Sequence, residues 1–273
     1  MTCGKKFTRR PHARNFAPDT GKGWASILRG GWLIALGVMM PGPAVLARIT
    51  QTIPPPSETF DPLLQLTLGG SVEYETDRTK SQYNFPLLIE YNFSEYLKLT
   101  LQPSVGYIQG RQPGVRTIGG LGDLETSVEY EFLRERRYRP ALTAQGLIRW
   151  HTSSDPDLGR PGPDIGIGLI ASKNLVFADV DLTLLFTRSG DREQGDTLEL
   201  VLATEVPLGR RFYAIAEVVE TFELSGKNRN HIEGTLGLGW HLTERLKLET
   251  GVLLRDDGTW QAQLSWEWSF SGK

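Results

Sequence analysis

From residue 61 onward, apolar and polar side chains alternate with a period of two. The last segment shows this best, with Trp260, Ala262, Leu264, Trp266, Trp268 and Phe270 on one parity and Gln261, Gln263, Ser265, Glu267 and Ser269 on the other. Successive residues of a β-strand point to opposite faces of a sheet, so the pattern predicts a strand with one apolar and one polar face. A helix would need apolar residues three or four positions apart.

The alternation recurs in twelve segments, which predicts an all-β fold: an antiparallel transmembrane up-and-down β-barrel of about 12 strands. The segments lie near 64–75, 83–93, 96–109, 121–132, 139–152, 164–173, 175–188, 196–206, 211–222, 230–241, 244–255 and 258–270. Short connections alternate with connections that are mostly longer and rich in Gly, Pro and charge, which is the habit of outer-membrane barrels. An even strand number places both termini on the periplasmic, short-turn side.

The N-terminal part of the chain differs from this pattern and predicts export. Residues 1–47 contain a basic region, a short apolar run at Trp32–Met40 and small residues before Arg48, which together indicate a cleaved signal peptide. Residues 48–60 follow as a Pro-rich linker. The predicted organisation is therefore a signal peptide (1–47), a linker (48–60), a barrel (61–270) and a short tail (271–273).

Composition narrows the function classes once the signal peptide is set aside. The whole chain has 30 basic and 32 acidic residues, and residues 1–47 hold seven and one of these, so the mature chain carries 23 against 31, or −8. An acidic chain gives no reason to expect a nucleic-acid partner. The one cysteine, Cys3, excludes a disulfide framework and a multi-thiolate metal site, and we expect no cofactor and no metal.

The two strand faces distinguish a membrane barrel from a soluble one. The apolar face is almost free of charge, with Glu220 the main exception, and its aromatic residues gather at both strand ends as in the girdles of membrane barrels. A soluble, lipocalin-like barrel would turn the same apolar face inward. The signal peptide, the aromatic ends and the aromatic-rich last strand favour the membrane barrel.

The polar face then lines the lumen and is strongly acidic. It carries fifteen acids against four bases: Glu73, Glu90, Asp123, Glu125, Glu129, Glu131, Asp164, Asp179, Asp181, Glu199, Glu205, Glu217, Glu233, Glu249 and Glu267 against Lys98, Arg149, Lys247 and Arg255. Rings of charge in a pore set its ion preference. We expect Glu125, Glu129, Glu131, Asp179, Asp181, Glu199, Glu205, Arg149 and His151 to be the lumen and selectivity residues.

Two stretches, residues 119–132 and 149–175, resemble a known family. A G-x-G-D strand entry lies at Gly120, Gly122 and Asp123, and a long loop is followed by a D-x-G-x-G-x-x-x-S-K run from Asp164 to Lys173. These stretches resemble the transporter-like outer-membrane barrels labelled "MetA-pathway of phenol degradation". The resemblance implies passage of small molecules, including aromatic ones, and carries no catalytic residues. The family usually has Pro-Thr where this chain has His151-Thr152.

Other motifs leave alternative functions open. His151 and Ser153 have the spacing seen in outer-membrane lipid hydrolases, in which a histidine activates a serine hydroxyl. Asp155, Asp157 and Asp164 have the oxygen ligands of a calcium site, although a solvated loop explains them more simply. A structural surface barrel with a plugged lumen is a further alternative.

The sequence therefore predicts a passive channel or transporter for small molecules or cations in the bacterial outer membrane, and not an enzyme. The expected partners are outer-membrane lipid, the barrel-assembly machinery and a small-molecule or ion substrate.

The first testable prediction concerns processing. Val45 and Ala47 occupy the positions three and one residues before the predicted cleavage point, as signal peptidase requires of small residues. N-terminal sequencing of the protein extracted from membranes should begin at Arg48. Recovery of residues 1–47 in the membrane-extracted protein would contradict the assignment.

Overall fold

The structure is a computed structural model and describes residues 65–76, 80–112, 114–191, 195–225 and 230–271. The predicted signal peptide and linker lie outside these residues, as do residues 61–64 and 272–273. Among the described residues, no helix is long and apolar enough to cross a membrane.

The described chain is built from fourteen antiparallel strands. They are β1 (Gln65–Thr76), β2 (Lys80–Ser94), β3 (Leu97–Gln102), β4 (Ser104–Gly110), β5 (Ile118–Leu121), β6 (Leu124–Leu133), β7 (Ala141–Trp150), β8 (Asp164–Asn174), β9 (Asp179–Arg188), β10 (Thr197–Pro207), β11 (Phe212–Glu223), β12 (His231–His241), β13 (Leu246–Arg255) and β14 (Trp260–Ser271). From β6 to β14 each strand pairs with its neighbours in chain order, and β1 pairs with both β2 and β14, so the sheet closes on itself.

Two of the strands that span the barrel wall are interrupted, and each consists of two shorter strands. Both β3 and β4 pair with β2, and they are separated only by Pro103, which has no N–H to donate to a ladder. Next to them, β5 pairs with β4 and β6 pairs with β3, with a break at Gly122 and Asp123. The fourteen strands therefore make twelve wall-spanning strands, which confirms the predicted twelve-stranded, all-β barrel.

The sequence-based boundaries were wrong in one stretch of the barrel wall. Residues 118–120 were expected in a Gly-rich loop, but they belong to β5. The glycines suggested a turn, whereas in the barrel wall Gly120 leaves room for a neighbouring loop that packs on the inner side. That loop, residues 151–163, contains one 3₁₀ turn at Pro156–Leu158.

The two faces of the strands are separated as a membrane barrel requires. Large apolar side chains lie exposed on the outside, for example Ile167, Leu236 and Leu238. The buried residues point inward and are largely polar, for example Thr67 and Gln263. A soluble barrel would bury its apolar face, so the observed arrangement contradicts the lipocalin-like alternative.

Aromatic side chains form contact rows on the outer surface at both ends of the barrel. At the end with the long loops, Trp260 contacts Tyr74, Tyr74 contacts Tyr83, and Tyr83 contacts Tyr107, with ring centroids 5.1–6.2 Å apart. At the other end, Trp268 stacks on Phe270, Tyr91 meets Phe93 and Phe212 stacks on Trp240. These rows have the arrangement of the two interfacial girdles of membrane barrels, and we call the first row the outer girdle.

The second prediction uses two adjacent residues at the middle of β12. Leu236 is 69% exposed on the outer face, and Thr235 is 2% exposed on the inner face. Leu236→Arg should lower the free energy of unfolding by about 2–4 kcal/mol, since the new charge would lie near the bilayer midplane. Thr235→Arg should cost less, because its side chain enters the lumen beside Glu217 of β11. Urea titrations of the barrel folded into lipid vesicles measure both, and equal costs would contradict the assignment of faces.

Candidate functional site

The candidate site is the lumen, and the structure places the predicted lumen residues on its inward face. Glu125, Glu129 and Glu131 lie on β6, Arg149 on β7, Asp179 and Asp181 on β9, and Glu199 and Glu205 on β10. His151 follows β7 on the same parity and begins the loop 151–163, which we call the mouth loop. Their part in selectivity stays a prediction.

One basic side chain holds two acids in the middle of the β2–β3–β6 wall. Lys98 Nζ lies 3.4 Å from Glu90 Oε1 and 3.1 Å from Glu129 Oε2, and all three side chains are largely buried. Gln145 Nε2 also donates to Glu129 at 3.3 Å. Breaking a buried ion pair leaves an uncompensated charge, so these groups act together as a structural unit.

A second cluster lies at the long-loop end and joins two loops. Arg149 donates to Glu125 at 3.0 Å and to Asp164 at 3.1 Å, and Arg160 of the mouth loop donates to the same Asp164 at 3.0 Å. Asp164 also accepts hydrogen bonds from Ser189 Oγ and the Gly190 amide, at 3.2 and 3.1 Å. Burial, together with the nearby Arg149 guanidinium, lowers the pKa of Arg160 from its ordinary value, and Asp164 opposes this change.

A third cluster lies at the same end of the barrel on β1, β12 and β13. Arg255 donates to Glu233 at 2.9 Å and to Glu75 at 3.1 Å. Sequence reasoning placed Glu233 and Arg255 on the inner face but missed Glu75. Glu75 lies two residues after Glu73 on the same strand, and this shared parity could have placed it on the inner face. Glu75 was missed because it lies at the end of the strand.

The neighbouring strands β9 and β10 carry three luminal acids that no described base matches. Asp179, Asp181 and Glu199 have no basic side chain within ion-pair distance in the part of the chain that the structure describes. Asp179 accepts a hydrogen bond from Asn174 at 2.7 Å and lies opposite Glu205 in the strand register. Three acids without a basic partner among the described residues thus lie on one wall of the lumen, which we call the acidic wall (Asp179, Asp181 and Glu199).

The mouth loop folds against the inner side of the wall at β4 and β5. Asp123 holds both of its ends: Oδ1 accepts the amides of Thr152 and Ser153, each at 3.2 Å, and Oδ2 accepts the amide of Arg160 at 2.7 Å. The Ser154 amide also donates to the Leu121 carbonyl at 2.9 Å. The G-x-G-D motif at 120–123 and the Asp164 that ends the loop are thus the residues that attach the loop to the barrel.

His151 and Ser153, the two residues of the hydrolase alternative, are not hydrogen-bonded to each other in this structure. His151 Nδ1 lies 4.0 Å from Asp123 Oδ1, so an acid is present beside the histidine. Ser153 Oγ, however, is buried and makes no hydrogen bond to His151 or to any other described group. A serine nucleophile needs a histidine in hydrogen-bond contact and access to its substrate.

The three aspartates considered as calcium ligands do not form one site. Asp155 accepts from the Asp157 amide and pairs with Arg116 at 3.3 Å, while Asp164 lies in its own ion-pair cluster. The expectation of a solvated loop was therefore wrong for Asp164, which is fully buried. Among the described residues, no group of three or more His, Cys, Asp or Glu side chains is placed to hold a metal ion.

The barrel is similar in fold to several solved outer-membrane proteins. It aligns with the COG4313 outer membrane channel from Pseudomonas putida F1 at 12% identity and a TM-score of 0.61, covering 83% of this chain and all of that one. It aligns with the KdgM porin in complex with disordered oligogalacturonate at 13% identity and a TM-score of 0.53, covering 74% of this chain and 99% of that one. It aligns with the NanC porin at 9% identity and a TM-score of 0.56, covering 74% of this chain and 98% of that one. The sequence matches no protein-family model and no curated protein. The chain thus has the fold of an outer-membrane β-barrel.

The third prediction concerns Asp164. Asp164→Ala would leave Arg149 and Arg160 side by side without the carboxylate that separates them and would release two loops. We expect a loss of about 3–5 kcal/mol in unfolding free energy, as for other broken buried ion pairs. Asp155→Asn, in the same loop but nearer the surface, should cost far less in the same urea titration. Equal small effects would show that the Asp164 cluster does not hold the mouth together.

Proposed function

We propose that this protein is a passive channel of the bacterial outer membrane that admits small molecules and prefers cations. It carries out no catalysis, has no cofactor, and belongs with the barrels of the MetA-pathway family that its 119–132 and 149–175 stretches resemble. Its partners are outer-membrane lipid, the assembly machinery that inserts barrels, and its solute; nucleic acid is not among them.

The acidic wall carries this proposal. Arg149, Lys98 and Arg255 each lie between two acids, so the basic charges of the lumen are already matched. Asp179, Asp181 and Glu199 then supply a net negative field along one side of the lumen. Such a field raises the local concentration of cations and lowers that of anions.

The solved neighbours support a channel, and the solute of one of them offers a contrast. Their names describe an outer membrane channel and two porins, one of them in complex with an oligogalacturonate, which is a polyanion. A lumen with a net acidic wall would repel a solute of that kind. We therefore propose cations and small neutral molecules as the solutes here. The buried, unbonded Ser153 hydroxyl gives the hydrolase alternative no support.

The fourth prediction tests the sign of the field. Wild-type protein in a planar bilayer should give a cation-selective reversal potential across a salt gradient, most clearly at low ionic strength, where screening is weak. Asp181→Asn combined with Glu199→Gln should shift that potential toward zero while leaving the ion pairs intact.

Glu220→Gln is the matched control for this experiment. Glu220 lies between Leu200 and Ile232 on the outer face, so its loss changes the net charge without changing the lumen. The triple change of Glu125, Glu129 and Glu131 to Gln should also weaken cation preference, but it removes partners of Arg149, Lys98 and Arg134 and should lower stability as well. Anion preference in the wild type, or an equal shift from Glu220→Gln, would contradict the proposal.

A further inference from the structure

The side chain of Leu158 lies on the luminal side of the barrel wall. A Cβ added at Gly106 would come 2.9 Å from Leu158 Cδ2, and one added at Gly120 would come 3.4 Å from Leu158 Cδ1. Gly106 shares the inward parity of the buried Ile108, and Gly106 and Gly120 are partners in the β4–β5 register. Their missing side chains create the space that Leu158 occupies.

This contact lies at the level of the outer girdle. Gly106 immediately precedes Tyr107, whose ring contacts Tyr83 on the outer surface. The 3₁₀ turn that carries Leu158 is therefore inside the barrel where the barrel enters the outer interface, and not above it. A solute entering from the long-loop end must pass beside this turn.

The mouth loop is held in this position at several independent points. Asp123 accepts amides from both ends of the loop, Ser154 bonds to the Leu121 backbone, and Arg160 bonds to the buried Asp164. Arg116, from the loop between β4 and β5, adds a pair with Asp155 at 3.3 Å. One carboxylate that satisfies three amides fixes the loop geometry more strongly than surface pairs do.

We propose that Leu158 forms part of the narrowest section of the channel and sets its size limit, with Asp123 as the positioning residue that holds Leu158 there. This inference rests on the proposed channel function. In this proposal one apolar side chain limits the size of the solute, while the acidic wall on β9 and β10 sets its preferred charge.

The test measures the current carried by tetramethyl-, tetraethyl- and tetrabutylammonium ions relative to K⁺ through the full barrel in planar bilayers. These cations differ in size and share one charge, so the acidic wall treats them alike. Leu158→Ala should raise the relative current of the larger ions severalfold, and Leu158→Trp should lower it. Asp123→Ala should act like Leu158→Ala and add current noise, and Asp123→Asn, which keeps one acceptor oxygen, should lie between it and the wild type.

Leu121→Ala is the matched control, since Leu121 follows Gly120 on β5 but its side chain points outward. It should leave the size series unchanged, and heat-modifiable migration in gels verifies that each variant is folded. If the wild type conducts K⁺ and both Leu158 variants keep its size series, the inference is wrong and the channel function stands. If neither the wild type nor any folded variant conducts, both fall. If the wild type is silent and folded Asp123→Ala conducts, the mouth loop is confirmed as the limiting element.

Discussion

Closure of the sheet is the constraint on which the rest of the structure depends. In a bilayer no water is available to the backbone, so every N–H and C=O at membrane depth needs a partner within the protein. The pairing of β1 with β14, from Gln65 opposite Ser271 to Glu75 opposite Gln261, removes the two free edges. Once the sheet is closed, alternate residues point either to lipid or into a narrow interior, and polar groups have only that interior in which to lie.

The strands and their faces could be predicted from the sequence because both depend on local alternation. Trp260 to Phe270 show one parity of apolar residues without reference to any other part of the chain, and the structure places them as expected. The errors lie where another segment intervenes. Residues 118–120 belong to a strand in which Gly120 accommodates Leu158, a residue some forty positions away, and no local pattern contains that contact.

The same distinction applies to the lumen. Parity places Glu125, Glu129 and Glu131 on the inner face, but which base each acid meets depends on strand register and on loops. Arg160 was missed because it lies in a loop, yet it bonds to Asp164, which begins a strand four residues later. The G-x-G-D and D-x-G-x-G stretches were visible as motifs, and only the folded chain shows that Asp123 and Asp164 both attach the mouth loop to the barrel.

The lumen therefore contains two kinds of carboxylate, with different physical roles. One kind forms ion pairs with guanidinium or ammonium groups: Glu75, Glu90, Glu125, Glu129, Asp164 and Glu233. These charges are neutralised locally and hold neighbouring strands and loops in position. Among the described residues, Asp181 and Glu199 form no such pairs, and in the proposed channel their field extends into the passage. On the wall of β9 and β10 the described residues include no base within ion-pair distance of these acids, and the proposed net field lies there. In the proposed channel, charge selection and size selection therefore belong to different elements: the acidic wall along the lumen and the mouth loop at the entrance.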